Sequence, residues 1–229
     1  MKQIIIVLIL SIILFSGTTI QAQTKNFSFF GSYNRSFGFL TGKVSSDLQY
    51  PYYDQVTKLT TGNVNQFEAG AYYNSFGLGI IYNTYGVAAT TSYENADVNG
   101  DSYLENGVLS DDLKLRYTGL ELLYKHALFN SGFNACWKIA LGMQSYMLDK
   151  NTQISGTYPY DYTREISGNI FTSLLGMEIN YQVWKMISVG AETSLIPGNY
   201  KELTVDGSDA TAEDNVSRLN AGLRITITL

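Results

Sequence analysis

The clearest pattern in this chain is the alternation of apolar and polar residues at its carboxyl-terminal end. An apolar residue stands at every odd position from 219 to 229, and a polar residue or glycine stands at every even position from 218 to 228. Side chains in a β-strand point alternately to opposite faces of the sheet. The pattern therefore predicts a final strand with one apolar face and one polar face.

The same period of two predicts seven further strands upstream. The eight predicted strands cover residues 26–39, 66–74, 76–85, 114–126, 133–148, 164–182, 185–196 and 216–229. Their connections are alternately short (75, 130–132, 183–184) and long (40–65, 86–113, 149–163, 197–215). Alternating short turns and long loops are typical of outer-membrane β-barrels, whose short turns face the periplasm and whose long loops face outward.

The two faces of each predicted strand differ in size as well as polarity. In strand 164–182, for example, Phe171 and Met177 share one face, whereas Gly176 and Glu178 share the other. The interior of an eight-stranded barrel is only wide enough for side chains to fill, so rows of large apolar residues would crowd it. We therefore expect small polar residues inside, apolar residues toward lipid, and an all-β fold: an eight-stranded antiparallel up-and-down transmembrane β-barrel.

Composition narrows the class of protein further. The chain has 18 Tyr, 11 Phe and 21 Gly but only 3 Pro, and aromatic residues favour strands. The formal charge of −5, without a basic cluster, argues against a nucleic-acid partner. The single cysteine, Cys136, excludes an intrachain disulfide.

The amino terminus has the layout of an export signal. Lys2 precedes an apolar run from Ile4 to Phe15; Ser16 to Thr19 follow, and Ala22 is a small residue at a plausible cleavage site. The run is shorter than the ~20 residues that a membrane-spanning helix needs, which disfavours the alternative of an uncleaved anchor. We predict a signal peptide at residues 1–22 and a barrel domain at residues 23–229. No cysteine follows the run, so a lipoprotein signal is not expected.

The eight alternating strands and their short and long connections resemble the small eight-stranded outer membrane proteins of Gram-negative bacteria. That group includes the transmembrane domain of outer membrane protein A and outer membrane protein X. The resemblance covers residues 23–229 and is one of pattern. It implies an outer-membrane monomer that contacts outer-membrane lipids and lipopolysaccharide, is assembled by the barrel insertion machinery and holds no cofactor. Members usually end on an aromatic residue, whereas this chain ends on Leu229.

Isolated charges on the polar faces are the first candidate functional residues. They are Glu68, Glu121, Glu178, Glu192, Lys138, Arg218 and Arg224. Most lie a few residues from a short turn or from the chain end, so we expect them to cluster in the half of the barrel near the short turns. A buried charge must be paired. We expect a salt-bridge network that plugs the lumen, with Arg218 and Arg224 as counter-ions to glutamates; a gated ion path is the alternative.

Catalytic and metal-binding patterns are weaker. The only histidine, His126, lies beside a predicted short turn, so we expect no enzyme activity. Asp97, Asn99 and Asp101, followed by Glu105, place oxygen ligands at alternate positions, as calcium loops do. Gly100 comes two residues early for the usual turn, and Val108 stands where such loops have glutamate. We therefore predict a solvated acidic loop and no specific metal site.

Three functions agree with these patterns. The first is a non-enzymatic outer-membrane barrel with a polar, largely plugged lumen that acts through its long loops in surface interaction or envelope integrity. The second is a narrow, porin-like pore or a transporter of small hydrophobic molecules, as in the similar outer membrane protein W group. The third is a soluble, exported ligand-binding barrel.

Overall fold

The computed structural model describes residues 27–41, 59–96, 105–128, 132–156, 159–210 and 212–229. The predicted signal peptide (1–22) and the candidate calcium ligands Asp97, Asn99 and Asp101 lie outside the described residues. None of the described residues forms a helix that is long and apolar enough to cross a membrane.

The described residues form eleven antiparallel strands, eight of which close a ring. The strands are β1 (Phe27–Leu40), β2 (Thr61–Tyr73), β3 (Phe76–Ala96), β4 (Glu105–Leu128), β5 (Phe133–Ser155), β6 (Tyr160–Gln182), β7 (Ile187–Ile196), β8 (Asn199–Val205), β9 (Ser208–Ala210), β10 (Ala212–Asn215) and β11 (Arg218–Thr228). Each of β1 to β6 pairs with the next strand, and β11 pairs with both β7 and β1. The predicted eight-stranded up-and-down antiparallel barrel, closed by its last strand, is confirmed.

The faces of the strands point as predicted. In β11, Arg218, Asn220 and Arg224 are buried, whereas Leu223 on the other face is 75% exposed. Exposed apolar side chains surround the ring and include Phe29, Phe37, Phe67, Phe76, Leu78, Ile80, Leu120, Leu122, Ile139, Leu141, Phe171, Ile179, Val189, Ile225 and Ile227. This apolar band on the outer surface is the arrangement that lipid requires.

The strands run further than predicted at one end of the barrel, which we call the hairpin end. β3 and β4 pair as far as Ala96 and Glu105, and β5 and β6 pair as far as Ile154 and Tyr160. Much of the predicted loops 86–113 and 149–163 is therefore strand. Beyond the apolar band the outward face is polar, and large apolar residues such as Leu113, Leu115 and Leu148 lie on the inward face. The apolar outward face by which the strands were recognised in the sequence therefore ends there, while the hydrogen-bond ladder continues. The opposite end, with the short connections, is called the turn end.

The predicted loop 197–215 also contains strands. After Pro197 the chain continues as β8, which pairs with β6 at two positions and with β10. A tight turn at Asp206 and Gly207 follows, and both residues have positive φ angles, of 50° and 75°. The segment thus forms a hairpin that prolongs the barrel wall past the ends of β7 and β11.

The interior is layered, and its large apolar layers differ from the small polar interior that we expected. Along β5 the inward residues from the turn end include Cys136, Lys138, Ala140, Gly142, Gln144 and Tyr146, so apolar and polar layers alternate. The apolar layer at the hairpin end consists of Leu59, Val64, Tyr85, Leu113, Leu115, Tyr146, Leu148, Ile166, Tyr200, Leu203 and Val216. One smaller apolar layer consists of Phe30, Tyr72, Leu123 and Cys136. A second consists of Ile81, Tyr117, Ala140, Leu174 and Ile196.

Tyr200 of β8 links the largest apolar layer to the barrel wall. Its hydroxyl donates a hydrogen bond to the backbone oxygen of Gln144 at 3.3 Å. Burial raises the pKa of Tyr200 above its ordinary value. The hydrogen bond helps to hold the β8 hairpin over the interior.

Candidate functional site

The most densely connected polar group in the described residues is a cluster of five charged side chains inside the barrel. Lys138 on β5 points inward between three carboxylates. Its Nζ lies 2.7 Å from Glu68 Oε1, 2.9 Å from Glu192 Oε1 and 3.3 Å from Glu178 Oε2. The ammonium group is therefore surrounded by carboxylates from β2, β6 and β7.

Arg224 on β11 contacts the same three carboxylates. Its Nη2 lies 2.7 Å from Glu68 Oε2, its Nε 2.8 Å from Glu178 Oε2 and its Nη1 2.9 Å from Glu192 Oε2. All five side chains are no more than 2% exposed. We call Glu68, Lys138, Glu178, Glu192 and Arg224 the interior charge cluster; it connects five of the eight ring strands across the lumen.

The cations make this arrangement of carboxylates possible. Glu178 and Glu192 are directly opposite each other on β6 and β7, and like charges in that position destabilise a sheet. Lys138 and Arg224 each bind both of them. Three carboxylates face two cations, so the fully ionised cluster carries one net negative charge.

Glycines beside the charged residues provide the space for these side chains. A Cβ atom at Gly176, which pairs with Lys138, would lie 2.6 Å from Lys138 Cγ. A Cβ atom at Gly79 would lie 2.7 Å from Glu121 Oε1. The Gly–apolar–charged triplets that recur in the sequence, such as Gly176-Met177-Glu178, thus alternate a small and a charged residue on the crowded inner face.

Arg218 was expected to pair with a glutamate, and the structure places it elsewhere. Its Nη2 donates to Asn83 Oδ1 at 2.6 Å, and its guanidinium lies 5.5 Å from the centre of the Tyr85 ring. Asn83 Nδ2 donates to Gln66 Oε1 at 2.8 Å, and Gln66 Nε2 donates to carboxylate oxygens of Glu68 and Glu192. Two amides therefore connect Arg218 to the interior charge cluster without direct ion pairing.

Glu121 lies outside the interior charge cluster. Its side chain is fully buried, and neither carboxylate oxygen has a hydrogen-bond partner among the described residues. It projects over Gly79 on the neighbouring strand. Of the seven charged residues singled out in the sequence, the structure joins five directly, one through amides, and leaves Glu121 apart.

The remaining candidate residues do not assemble into a reactive site in the described part of the chain. His126 faces outward at the turn end, with its ring 5.9 Å from that of Tyr124. Cys136 is buried near the turn end, and its Sγ lies 3.6 Å from the Tyr72 hydroxyl. The described residues contain no group of three or more His, Cys, Asp or Glu side chains placed to hold a metal ion.

Gln66 and Asn83, which connect the charged residues, were not among the predicted site residues. Both occupy inward positions on strands that carry a recognised glutamate or a run of apolar outward residues, so the alternation would have placed them in the lumen. Their contact depends on the exact register of β2 and β3, which places Gln66 directly opposite Asn83, and an error of one residue at the turn would separate them.

No protein-family model and no curated protein sequence matches this chain. Solved structures do. A major outer membrane protein from Thermus thermophilus is 12% identical, with a TM-score of 0.53 over 88% of this chain and 99% of that one. Outer membrane protein AlkL is 11% identical, with a TM-score of 0.50 over 93% and 94%. OmpT, an outer membrane protease from Escherichia coli, is 10% identical, with a TM-score of 0.41 over 93% and 100%. The chain has the fold of the small outer-membrane β-barrels.

Proposed function

We propose that this protein is a non-enzymatic, integral outer-membrane barrel with a closed lumen, which acts at the cell surface through its hairpin end. The observation that carries the proposal is the interior charge cluster. Five side chains from five strands meet across the lumen, and all are nearly inaccessible to water. An eight-stranded barrel has little interior space beyond its own side chains.

The outer surface supports the membrane assignment. Large apolar side chains are exposed around the ring, and charged side chains are buried inside it. A soluble ligand-carrying barrel would need the reverse arrangement, because water would meet the apolar band. Tyr73, Tyr124, Phe133, Tyr181 and Trp184 are exposed at the turn end, where an aromatic girdle would lie at the inner membrane surface. With residues 1–22 as a cleaved signal peptide, the turn end faces the periplasm.

The position of the only histidine supports a non-enzymatic role. His126 lies at the turn end, far from the hairpin end, where a surface substrate would arrive. The hydroxyl of Tyr72 is the side chain that contacts the thiol of Cys136, and that thiol is buried. Within the described residues, the thiol of Cys136 and the hydroxyl of Tyr72 are therefore not placed as a nucleophile with an adjacent base.

The length of the hairpins supports a role in surface interaction or envelope integrity. On β3, residues 83–96 extend past the last exposed aromatic residue of the band, Tyr82. At ~3.3 Å per residue and a tilt of about 40°, they would rise roughly 35 Å above it. Such paired strands present a rigid surface outside the membrane.

Conductance measurement tests the closed lumen. The purified protein should show a heat-dependent shift on a gel, which reports the folded barrel, and no current steps above background in a planar lipid bilayer. Reproducible steps from the folded protein would refute the closed lumen and favour the narrow-pore alternative. Uptake of a small hydrophobic dye into vesicles that contain the barrel would favour the transporter alternative, and a protein found outside the outer-membrane fraction would refute the location.

A further inference from the structure

Arg218 is a buried cation whose hydrogen-bonding capacity is mostly unused. Its side chain is fully buried on the inward face of β11. One nitrogen, Nη2, donates to Asn83 Oδ1, whereas Nε and Nη1 have no hydrogen-bond partner among the described residues. Two of the three guanidinium nitrogens are therefore unsatisfied donors inside the barrel.

The buried carboxylates lie at other levels of the barrel. Glu121 is opposite Gly79, which is four residues from Asn83 toward the turn end. Asp214 on β10 is four residues from Arg218 toward the hairpin end. The glutamates of the interior charge cluster are bound by the two cations of that cluster and connect to Arg218 only through amides. No described carboxylate forms an ion pair with Arg218, and an unpaired buried charge is strongly unfavourable.

The hydroxyl of Tyr85 is another unsatisfied donor beside Arg218. The centre of the Tyr85 ring lies 5.5 Å from the guanidinium, and its buried hydroxyl has no hydrogen-bond partner among the described residues. The walls are shaped around this ring, because a Cβ atom at Gly38 or at Gly62 would lie 2.7 or 2.8 Å from it. β11 and β3 thus bring unsatisfied donors together in the lumen.

A small anion would satisfy both these donors and the charge of the guanidinium. Buried polar groups that have no partner in the protein commonly bind water or an ion. Water would accept the hydrogen bonds but would leave the positive charge unbalanced. One guanidinium balances one negative charge, and an eight-stranded barrel has little space beyond its own side chains, so a monovalent halide fits better than a phosphate.

We propose that the guanidinium of Arg218 and the hydroxyl of Tyr85 bind a chloride ion inside the barrel. The site is separate from the interior charge cluster, where three carboxylates face two cations and repel an anion. Asn83 and Gln66 lie between the two sites: their amide oxygens accept hydrogen bonds from the side of Arg218, and their amide nitrogens donate toward the glutamates. The ion is structural, and the inference does not rest on the proposed role at the cell surface.

The dependence of stability on chloride tests the proposal. The purified protein is refolded into uncharged lipid vesicles in sodium chloride or sodium gluconate at equal ionic strength and is then unfolded with urea in the same salt. An ion that binds only the folded state raises the folding equilibrium constant by one plus the ratio of its concentration to its dissociation constant. For a dissociation constant of about 10 mM, about 300 mM chloride should raise the folding equilibrium constant about thirtyfold over gluconate.

Three variants assign the effect to the site. Arg218→Met removes the cation, so the dependence on chloride should disappear. Tyr85→Phe keeps the ring and removes one donor, so it should weaken the binding of chloride at least about threefold. Arg35→Met is the matched control: it removes the same charge from the exposed outward face of β1 and should keep the full dependence on chloride. The heat-dependent gel shift verifies that each variant is folded.

Bromide provides a direct view of the site, because its anomalous scattering locates it in a crystal. Crystals of the wild-type protein grown in bromide should show an anomalous peak beside the guanidinium of Arg218. No peak there would mean that water alone occupies the site and would overturn the proposal. Equal stability in chloride and gluconate, an undiminished chloride effect in Arg218→Met, or an equal loss of that effect in Arg35→Met would also overturn it. If Arg218→Met does not fold, the bromide peak and Tyr85→Phe decide the question.

Discussion

Replacing Arg224 with methionine tests whether the interior charge cluster stabilises the barrel. Methionine keeps most of the side-chain volume and removes the charge. Arg224 contacts three carboxylates at 2.7, 2.8 and 2.9 Å, and its loss leaves Lys138 alone with them. Removing one partner of a buried ion pair typically costs about 3–5 kcal/mol, because the remaining charges stay buried. We expect the free energy of unfolding of Arg224→Met to fall by that amount.

Arg218→Met is the matched control, since the two arginines lie on the same strand and are equally buried. Arg218 has one hydrogen bond to Asn83 and the Tyr85 ring as its neighbours, and it has no carboxylate partner among the described residues. Methionine removes these contacts but also the cost of burying an unbalanced guanidinium, and such replacements are often neutral or stabilising. We expect a change of less than about 1 kcal/mol in this variant.

The assay is reversible urea unfolding of each variant from lipid vesicles, followed by the fluorescence of Trp137 and Trp184. Gel shift without heating confirms that each variant has reached the folded state before the titration begins. We expect a difference of at least about 2 kcal/mol between the free energies of unfolding of the two variants. Equal losses, or a loss below about 1 kcal/mol in Arg224→Met, would refute the claim that ion pairing in the cluster stabilises the fold.

Three further substitutions or treatments follow from the same structure. Gly176→Val should lower the free energy of unfolding by about 2 kcal/mol, because a Cβ there would lie 2.6 Å from Lys138 Cγ. Gly31→Ala, with no atom within 4 Å of its Cβ, should change the free energy of unfolding by less than about 1 kcal/mol. Urea titration compares the two variants, and similar losses would contradict the crowding of the inner face. Leu223→Lys should destabilise the barrel in vesicles by about 2–4 kcal/mol by placing a charge in lipid, and an unchanged urea midpoint would contradict the membrane-facing position of this residue. Cys136 should react with a maleimide reagent only after unfolding, since its side chain is 1% exposed, and rapid labelling of the folded protein would mean that water reaches this layer.

The alternation of residue types was sufficient to predict the eight strands of the ring, their antiparallel order and which face of each strand points outward. It failed at the hairpin end, where residues such as Thr84, Gly86 and Ala88 follow Tyr82 on the outward face of β3. The outward face of a strand must be apolar where it contacts lipid, but it can be polar where it contacts water. A strand that leaves the membrane therefore loses its apolar outward face, and its large apolar residues lie on the inward face instead, while its pairing continues.

Contacts across the lumen were less predictable than contacts along a strand. Glu68, Lys138 and Arg224 could be placed inside, but which of them meet depends on strand register and stagger around the ring. Arg218 illustrates the limit. Its side chain is buried in the lumen, yet it contacts Asn83 and no glutamate, and the amides of Asn83 and Gln66 bridge the distance to the carboxylates.

The pairing of β11 with β1 has a consequence for the order of folding. Phe30 pairs with Thr228, so closing the ring joins residues almost a full chain length apart. Such distant contacts form late, because the intervening chain loses entropy before they can form. Until they form, both β1 and β11 have an edge of unpaired backbone groups, which the lipid interior cannot satisfy. Insertion into the membrane and completion of the last strand must therefore be coupled, and a chain truncated before Arg218 should be unable to remain in the bilayer.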